Sequence, residues 1–83
     1  MKMKNSRLQK FVPREYSPYV EITPNIMGGR SVVKDTRIPT RLLFAKYGKG
    51  KTIGELAQLF DLPEDTVERV IAYEVLITGA RKL

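Results

Sequence analysis

The stretch TIGELAQLFDLPEDTVERVIAYEVLI, from Thr52 to Ile77, decides how the rest of the chain is arranged. Its first half repeats apolar residues at i, i+3, i+4 and i+7, the spacing of one helical face: Ile53, Leu56, Ala57 and Phe60. Pro63 ends that helix, because it lacks an N–H group and disfavours helix at Leu62 before it. A second apolar face follows: Val67, Val70, Ile71 and Val75. The stretch therefore predicts a helix-turn-helix pair joined by a very short turn.

The residues at the helix ends support three helices. Thr52 and Glu55 have the spacing of a capping box, in which each side chain accepts a hydrogen bond from the other residue's N–H group. Pro39 and Pro63 suit the first turn of a helix, and Gly48 suits a helix end. The predicted helices cover residues 39–47, 52–60 and 63–78, and they form a three-helix bundle in a mainly α domain.

The chain before these helices predicts a short β-hairpin and a basic arm. Val20 and Ile22 alternate with polar residues, the segment 31–33 is rich in valine, and Gly28-Gly29 suits a tight turn. Residues 1–19 are basic, poor in large aliphatic side chains and interrupted by prolines, so we expect a flexible arm before a domain at residues 20–83. The aromatic residues of the arm, Phe11, Tyr16 and Tyr19, either stack on bases or a partner or anchor the arm loosely to the domain.

Composition excludes several classes of function. The 83 residues include no cysteine and no histidine, which removes disulfides, thiolate chemistry and the usual zinc ligands. No apolar run is long enough to cross a bilayer, and the N-terminus lacks the apolar part of a signal peptide, so we expect a cytoplasmic protein. No nucleophile and base can be paired, so we expect no enzymatic activity, no cofactor and no metal.

Charge divides the chain into a basic front and an acidic back. Residues 1–51 carry a formal charge of +9 and residues 52–83 a charge of −3, which gives the net charge of +6. Such a chain can meet nucleic acid with one end and a basic protein with the other. The alternative is that both halves carry ordinary solvated charge.

The last predicted helix has more apolar surface than a small bundle can cover. Besides its first face it carries a second stripe at helical spacing: Arg69, Ala72, Tyr73, Leu76 and Ala80. We therefore expect a homodimer interface or a groove for a partner protein on this stripe. The alternative is that the hairpin packs back over Tyr73 and Leu76.

The stretch ITPNIMGGRSVVKDTRIPT, from Ile22 to Thr40, resembles the signature of the bacterial and archaeal family called domain of unknown function 433. That signature reads approximately I-D-P-x-I-hydrophobic-G-G-K-P-V-I-K-G-T-R-I-P-V. The matching residues in this stretch are Ile22, Pro24, Ile26, Gly28, Gly29, Val32, Lys34, Thr36, Arg37, Ile38 and Pro39. Later matches are Gly50, Ala57, Phe60, Leu62, Val67, Ala72 and Tyr73.

The main departure from the signature is Asp35, which stands where the family has glycine. If that turn needs a left-handed residue, aspartate adopts the conformation better than most residues but with some strain. The other departures are Thr23, Arg30, Ser31 and Thr40.

The resemblance implies a homeodomain-like helix-turn-helix domain. Members of this family are commonly described as VapB-type antitoxins of type II toxin–antitoxin pairs, encoded beside a PIN-like nuclease toxin. Such antitoxins bind and mask the toxin and often bind their own operator. The main alternative is a DNA-binding transcriptional regulator that acts without a toxin.

The charge pattern suggests where either partner would bind. A helix-turn-helix protein places the start of its second helix against the bases, and here that region carries Asp61, Glu64, Asp65 and Glu68, which oppose phosphate. We therefore expect DNA contacts elsewhere, from Arg30, Lys34, Arg37, Arg41, Lys46, Lys49 and Lys51. An internal salt bridge with Asp35 or an acidic residue of the last helix is the alternative for Arg37. The candidates for a toxin or dimer interface are Glu64, Asp65, Glu68, Arg69, Tyr73 and Leu76.

Overall fold

The computed structural model describes residues 12–22 and 29–79. In these ranges the chain forms a two-stranded antiparallel sheet and three α-helices, preceded by a 3-10 turn at Arg14–Tyr16. The strands are β1 (Val20–Ile22) and β2 (Ser31–Val33), and the helices are α1 (Thr40–Gly48), α2 (Ile53–Phe60) and α3 (Glu64–Thr78). The mainly helical bundle with a preceding hairpin is confirmed, and each helix begins one residue after its predicted start.

The predicted capping box at the start of α2 is present. The N–H group of Glu55 donates to Thr52 Oγ1 over 3.1 Å, and the N–H group of Thr52 donates to Glu55 Oε1 over 2.9 Å. This second hydrogen bond is the main reason why the pKa of Glu55 lies below its ordinary value. Pro39 and Pro63 directly precede α1 and α3, where their missing N–H groups cost nothing.

Two tight turns are made by aspartates in the left-handed conformation. Asp61 has φ 57° and closes α2, so that only residues 61–63 separate α2 from α3. Asp35 has φ 63° in the turn after β2, at the position where the family signature has glycine. The left-handed turn considered from the sequence is therefore present. The N–H group of Asp35 donates to the carboxylate of Glu21 over 2.9 Å.

The hairpin pairs Val20 with Val33 and Ile22 with Ser31. Gly29 has φ 86°, which agrees with its predicted place in a turn. The other turn residues predicted from the sequence, from Pro24 to Gly28, lie outside the described residues. An isolated bridge between Val32 and Pro39 brings the start of α1 against the hairpin.

The core lies where the three helices meet the hairpin. Its fully buried side chains come from every element between β1 and α3: Val20, Val33, Leu43, Leu56, Val67, Val70 and Tyr73. The residues around Tyr16 also reach this core, because the Tyr16 ring packs edge-on against Tyr73 with 5.8 Å between centroids.

Part of the predicted basic arm is packed. Val12, Tyr16 and Tyr19 are partly buried against the core, and the Arg69 guanidinium lies 5.9 Å from the centre of the Tyr19 ring. Residues 12–19 are therefore anchored to the domain rather than free of it, in agreement with the anchoring alternative for Tyr16 and Tyr19. Residues 1–11 of the predicted arm lie outside the described residues.

Candidate functional site

A concave feature of the described chain lies between α1 and the last turns of α3. This α1–α3 cavity has a volume of about 800 Å³. Its exposed lining residues include Arg30 and Arg41, and its buried ones are Tyr73 and Glu74. The start of β2 and the α1 side chains of Phe44 and Ala45 complete the wall.

A chain of hydroxyl groups runs through the fold to the cavity. Thr40 Oγ1 donates to Glu74 Oε2 over 2.6 Å, and Ser31 Oγ lies 2.7 Å from Thr40 Oγ1. Because Thr40 has one hydroxyl proton and gives it to the carboxylate, Ser31 is the donor in the second bond. Thr40 is fully buried and begins α1, so this relay connects the hairpin, α1 and α3 through side chains.

Tyr73 lies beside this relay. Burial raises the pKa of the Tyr73 phenol, and the negative charge of Glu74 raises it further. The phenol is therefore held in its neutral form over a wider pH range than a solvated tyrosine.

Glu74 is the residue of this site that the sequence analysis missed. It is 4% exposed, although glutamate is almost never buried without a partner. The signal was available, because Glu74 follows Val67 by seven residues and Val70 by four, which places it on the buried face of α3. A carboxylate on a core-facing position needs a buried donor, and Thr40 is that donor.

The seven predicted DNA-binding residues fall into three separate groups. Arg30 and Arg41 line the α1–α3 cavity. Lys34 and Arg37 are exposed between β2 and α1. The third group, Lys46, Lys49 and Lys51, lines a depression of about 290 Å³ after α1. The alternative interpretation of Arg37 is not supported, since this guanidinium forms no ion pair with any residue the structure describes.

Comparison with known proteins assigns the chain to a family. Residues 20–73 match the family described as protein of unknown function, DUF433. The chain belongs to the DUF433 family. The match extends from β1 to Tyr73 of α3, so the resemblance to this family is confirmed over the hairpin, α1, α2 and the first ten residues of α3. No curated protein and no solved structure matches the chain.

The predicted interface stripe of this DUF433 protein is divided by the fold. Tyr73 was expected to face a partner, but it is 2% exposed and belongs to the core. The prediction was wrong for Tyr73, because Tyr16 packs against its ring and Val20 and Val33 of the hairpin share its core cluster. The alternative, that the hairpin packs back over Tyr73 and Leu76, agrees with the burial of Tyr73 but not with the exposure of Leu76. Leu76 is 54% exposed, and the other candidates are exposed as well: Glu64, Asp65, Glu68 and Arg69.

The end of α3 in this DUF433 protein leaves three consecutive aliphatic residues on the surface. Val75, predicted on the buried face, is 39% exposed, and Ile77 is 47% exposed beside Leu76. Successive residues of a helix differ by about 100° in direction, so these three side chains surround the helix end rather than forming one stripe. Ile77 points toward the α1–α3 cavity, which it lines.

Carboxylates gather at the other end of α3. Glu64 lies with Glu55 and Asp61 around a depression of about 580 Å³ between α2 and α3. Within the part of the DUF433 chain that the structure describes, no group of three acidic residues is arranged to hold a metal ion. No described helix is long and apolar enough to cross a membrane.

Proposed function

We propose that this DUF433 protein is the antitoxin of a type II toxin–antitoxin pair, which binds and masks a PIN-like nuclease toxin. The observation that carries the proposal is the exposed aliphatic end of α3, formed by Val75, Leu76 and Ile77 beside a large cavity. Exposed aliphatic side chains around a helix end, one of which, Ile77, lines a concave and largely apolar wall, are typical of a surface that binds another protein.

The charge of α3 favours a protein partner over direct base recognition. Glu64, Asp65 and Glu68 are exposed at the start of α3, the position from which the second helix of a helix-turn-helix protein reads the major groove. Carboxylates there repel phosphate and oppose the release of counterions that drives DNA binding. They complement a basic surface instead, such as the RNA-gripping surface of a nuclease.

A second role in operator binding is part of the proposal. This role would use the basic groups around β2 and α1. The three helices would adopt a homeodomain-like arrangement, and two copies of the chain would form a homodimer that presents these groups to DNA. The cluster of Lys46, Lys49 and Lys51 supports this role, because three cations close together suit phosphate contact. The same cluster supports the alternative function, a DNA-binding regulator that acts without a toxin.

Co-expression with the product of the adjacent open reading frame tests the toxin partnership. We expect a stable complex on size exclusion with light scattering, and loss of nuclease activity of the partner in that complex. Leu76→Asp should weaken the complex at least tenfold, because it places a charge in an apolar contact. Leu59→Asp is the matched control, since Leu59 is 56% exposed on α2, away from the cavity lining.

The partnership is refuted if the wild-type chain neither binds nor inhibits that gene product. A mobility shift with the chain's own upstream DNA, repeated across salt concentrations, then separates the alternatives. A regulator without a toxin binds unaided with a steep salt slope, whereas an antitoxin binds tightly only with its toxin. Replacing Lys46, Lys49 and Lys51 by glutamine should reduce the slope by nearly one unit for each phosphate that these lysines neutralise.

A further inference from the structure

The Glu74 carboxylate is only partly used by the fold. Its Oε2 atom accepts from Thr40, whereas Oε1 has no hydrogen-bond partner in residues 12–22 and 29–79. In the same ranges no side-chain oxygen or nitrogen is both fully enclosed and unpartnered, so Oε1 is not fully enclosed. Glu74 lines the α1–α3 cavity, so we take Oε1 as the carboxylate oxygen that a ligand in this cavity would meet. The cavity therefore presents a fixed carboxylate oxygen from a residue that is otherwise buried.

The rest of the lining suits a cation carried on an apolar stem. Phe44, Ala45 and Ile77 provide apolar surface, and Tyr73 adds an aromatic ring. The volume of about 800 Å³ falls in the range of sites that bind small ligands or side chains, roughly 300–1,000 Å³. An arginine side chain fits this chemistry better than lysine, because its guanidinium is less strongly hydrated, stacks on aromatic rings and donates in a fork to carboxylates.

The two exposed arginines of the cavity affect how strongly such a cation binds. Arg30 and Arg41 weaken the binding of an isolated positive charge without preventing it, and carboxylates that accompany an incoming arginine strengthen binding by pairing with them. We infer that the α1–α3 cavity receives an arginine side chain of the partner protein, flanked in the partner by acidic residues. This inference rests on the proposed function for the identity of the partner, and the cavity chemistry can be tested without it.

Binding of small probes to the cavity can be measured directly by titrating them into the full-length chain and recording the NMR chemical shifts of the backbone amides. The probe is Nα-acetyl-arginine N-methylamide, with the citrulline and lysine analogues as references. We expect shifts at Ser31, Thr40 and Ile77 with the arginine probe, weaker binding of the lysine probe and none of the citrulline probe. Equal binding of the citrulline probe overturns the role of the carboxylate, and equal binding of the lysine probe overturns the choice of arginine.

Glu74→Gln removes the charge while its amide oxygen can still accept from Thr40. It should weaken binding of the arginine probe about tenfold or more, the difference expected when a charged hydrogen bond is removed. Glu68→Gln is the matched control, because Glu68 is an exposed carboxylate of the same helix outside the cavity. Circular dichroism confirms that both variants fold, and unchanged binding by a folded Glu74→Gln chain overturns the inference.

A steric variant tests the cavity without touching the relay. Ala45 lines the cavity but is exposed on α1, so Ala45→Phe fills the space with little effect on the core. It should abolish binding of the arginine probe, while Ala72→Phe, on the exposed side of α3, should leave binding unchanged. Binding retained by Ala45→Phe places the probe elsewhere and overturns the inference.

Arg41→Gln tests the role of the flanking carboxylates, because it should change the affinity for two probes in opposite directions. The isolated arginine probe should bind this variant a few-fold more tightly, because one repelling charge is gone. An alanine-based helical peptide with arginine between two glutamates, four residues on either side, should bind it a few-fold more weakly. The same direction of change for both probes contradicts the predicted role of Arg41.

The complex with the neighbouring gene product separates this inference from the proposed function. If the wild-type complex forms and neither Glu74→Gln nor Ala45→Phe weakens it, the inference fails and the antitoxin function stands. If the wild-type chain forms no complex but still binds the arginine probe with the expected variant effects, the function fails and the cavity chemistry stands.

Discussion

Replacing Thr40 by valine is the most informative test of how this fold holds its buried carboxylate. Valine has the shape of threonine but no hydroxyl group, so the change removes two hydrogen bonds without leaving a cavity. The bond to Glu74 Oε2 is 2.6 Å long and involves a carboxylate, and the bond from Ser31 is 2.7 Å long and neutral.

The expected loss of stability follows from these two hydrogen bonds. A hydrogen bond to a charged group contributes about 1.5–3 kcal/mol and a neutral one about 1 kcal/mol, which gives a decrease of roughly 3 kcal/mol in the free energy of unfolding. Oε2 then faces a methyl group in a fully buried position, which increases the loss. A chain of 83 residues has a total stability of about 4–12 kcal/mol, so a quarter or more of it is at stake.

Urea unfolding followed by circular dichroism at the helix band measures this loss, and thermal unfolding should shift by roughly 10–20 °C. Thr66→Val is the control, because Thr66 is half-buried on α3 and its hydroxyl group has no hydrogen bond to the described residues. It should change stability by less than about 0.5 kcal/mol. A Thr40→Val variant as stable as this control would refute the view that the relay stabilises the fold. If the relay does stabilise the fold, the double variant Thr40→Val with Glu74→Gln should lose less free energy of unfolding than the sum of the two single losses, because both changes remove the same hydrogen bond.

Three further predictions concern other parts of the chain. Thr52→Ala removes the capping box of α2 and should lower the free energy of unfolding by about 1 kcal/mol, measured by urea unfolding; no change would show that the cap adds nothing. Asp35→Gly should raise the urea midpoint slightly, because glycine adopts φ 63° without strain, whereas Asp35→Val should lower it; a lower midpoint for glycine would mean that the aspartate side chain is itself stabilising. Burial raises the pKa of Tyr73 above 10.0, so the folded chain keeps a proton that the unfolded chain loses. The contribution of Tyr73 to stability is therefore intact below pH 10 and falls as the pH rises toward the folded pKa. Tyr73→Phe should lose less stability than wild type between pH 8 and pH 11, and an equal loss would contradict the raised pKa.

The helices were predictable because their signals are local. Thr52 with Glu55, and the prolines Pro39 and Pro63, define helix starts through interactions within one turn, and the structure has each helix start one residue later. The left-handed turn at Asp35 was considered only as a condition, because the family signature has glycine there, and the backbone at this residue is left-handed.

The burial pattern of α3 was less predictable because it depends on distant segments. Periodicity shows which residues share a face, but Tyr73 is covered by Tyr16, which precedes it by 57 residues. Val75 continues the apolar period of α3, yet it is 39% exposed, because none of the elements within residues 12–22 and 29–79 packs fully over it. The same limit applies to the cavity, because nothing in the local sequence brings Arg30, Arg41 and Glu74 to one place.

The hydrogen bond between Thr40 and Glu74 also has a consequence for the folding pathway. It joins residues 34 positions apart, whereas α2 and α3 meet across a turn of only three residues. Closing the longer loop costs more chain entropy, so the helical pair at the C-terminal side is expected to assemble first and the relay afterwards. An interaction that forms after the rate-limiting step of folding affects the unfolding rate rather than the folding rate. Disrupting the hydrogen bond between Thr40 and Glu74 should therefore accelerate unfolding and leave the refolding rate almost unchanged.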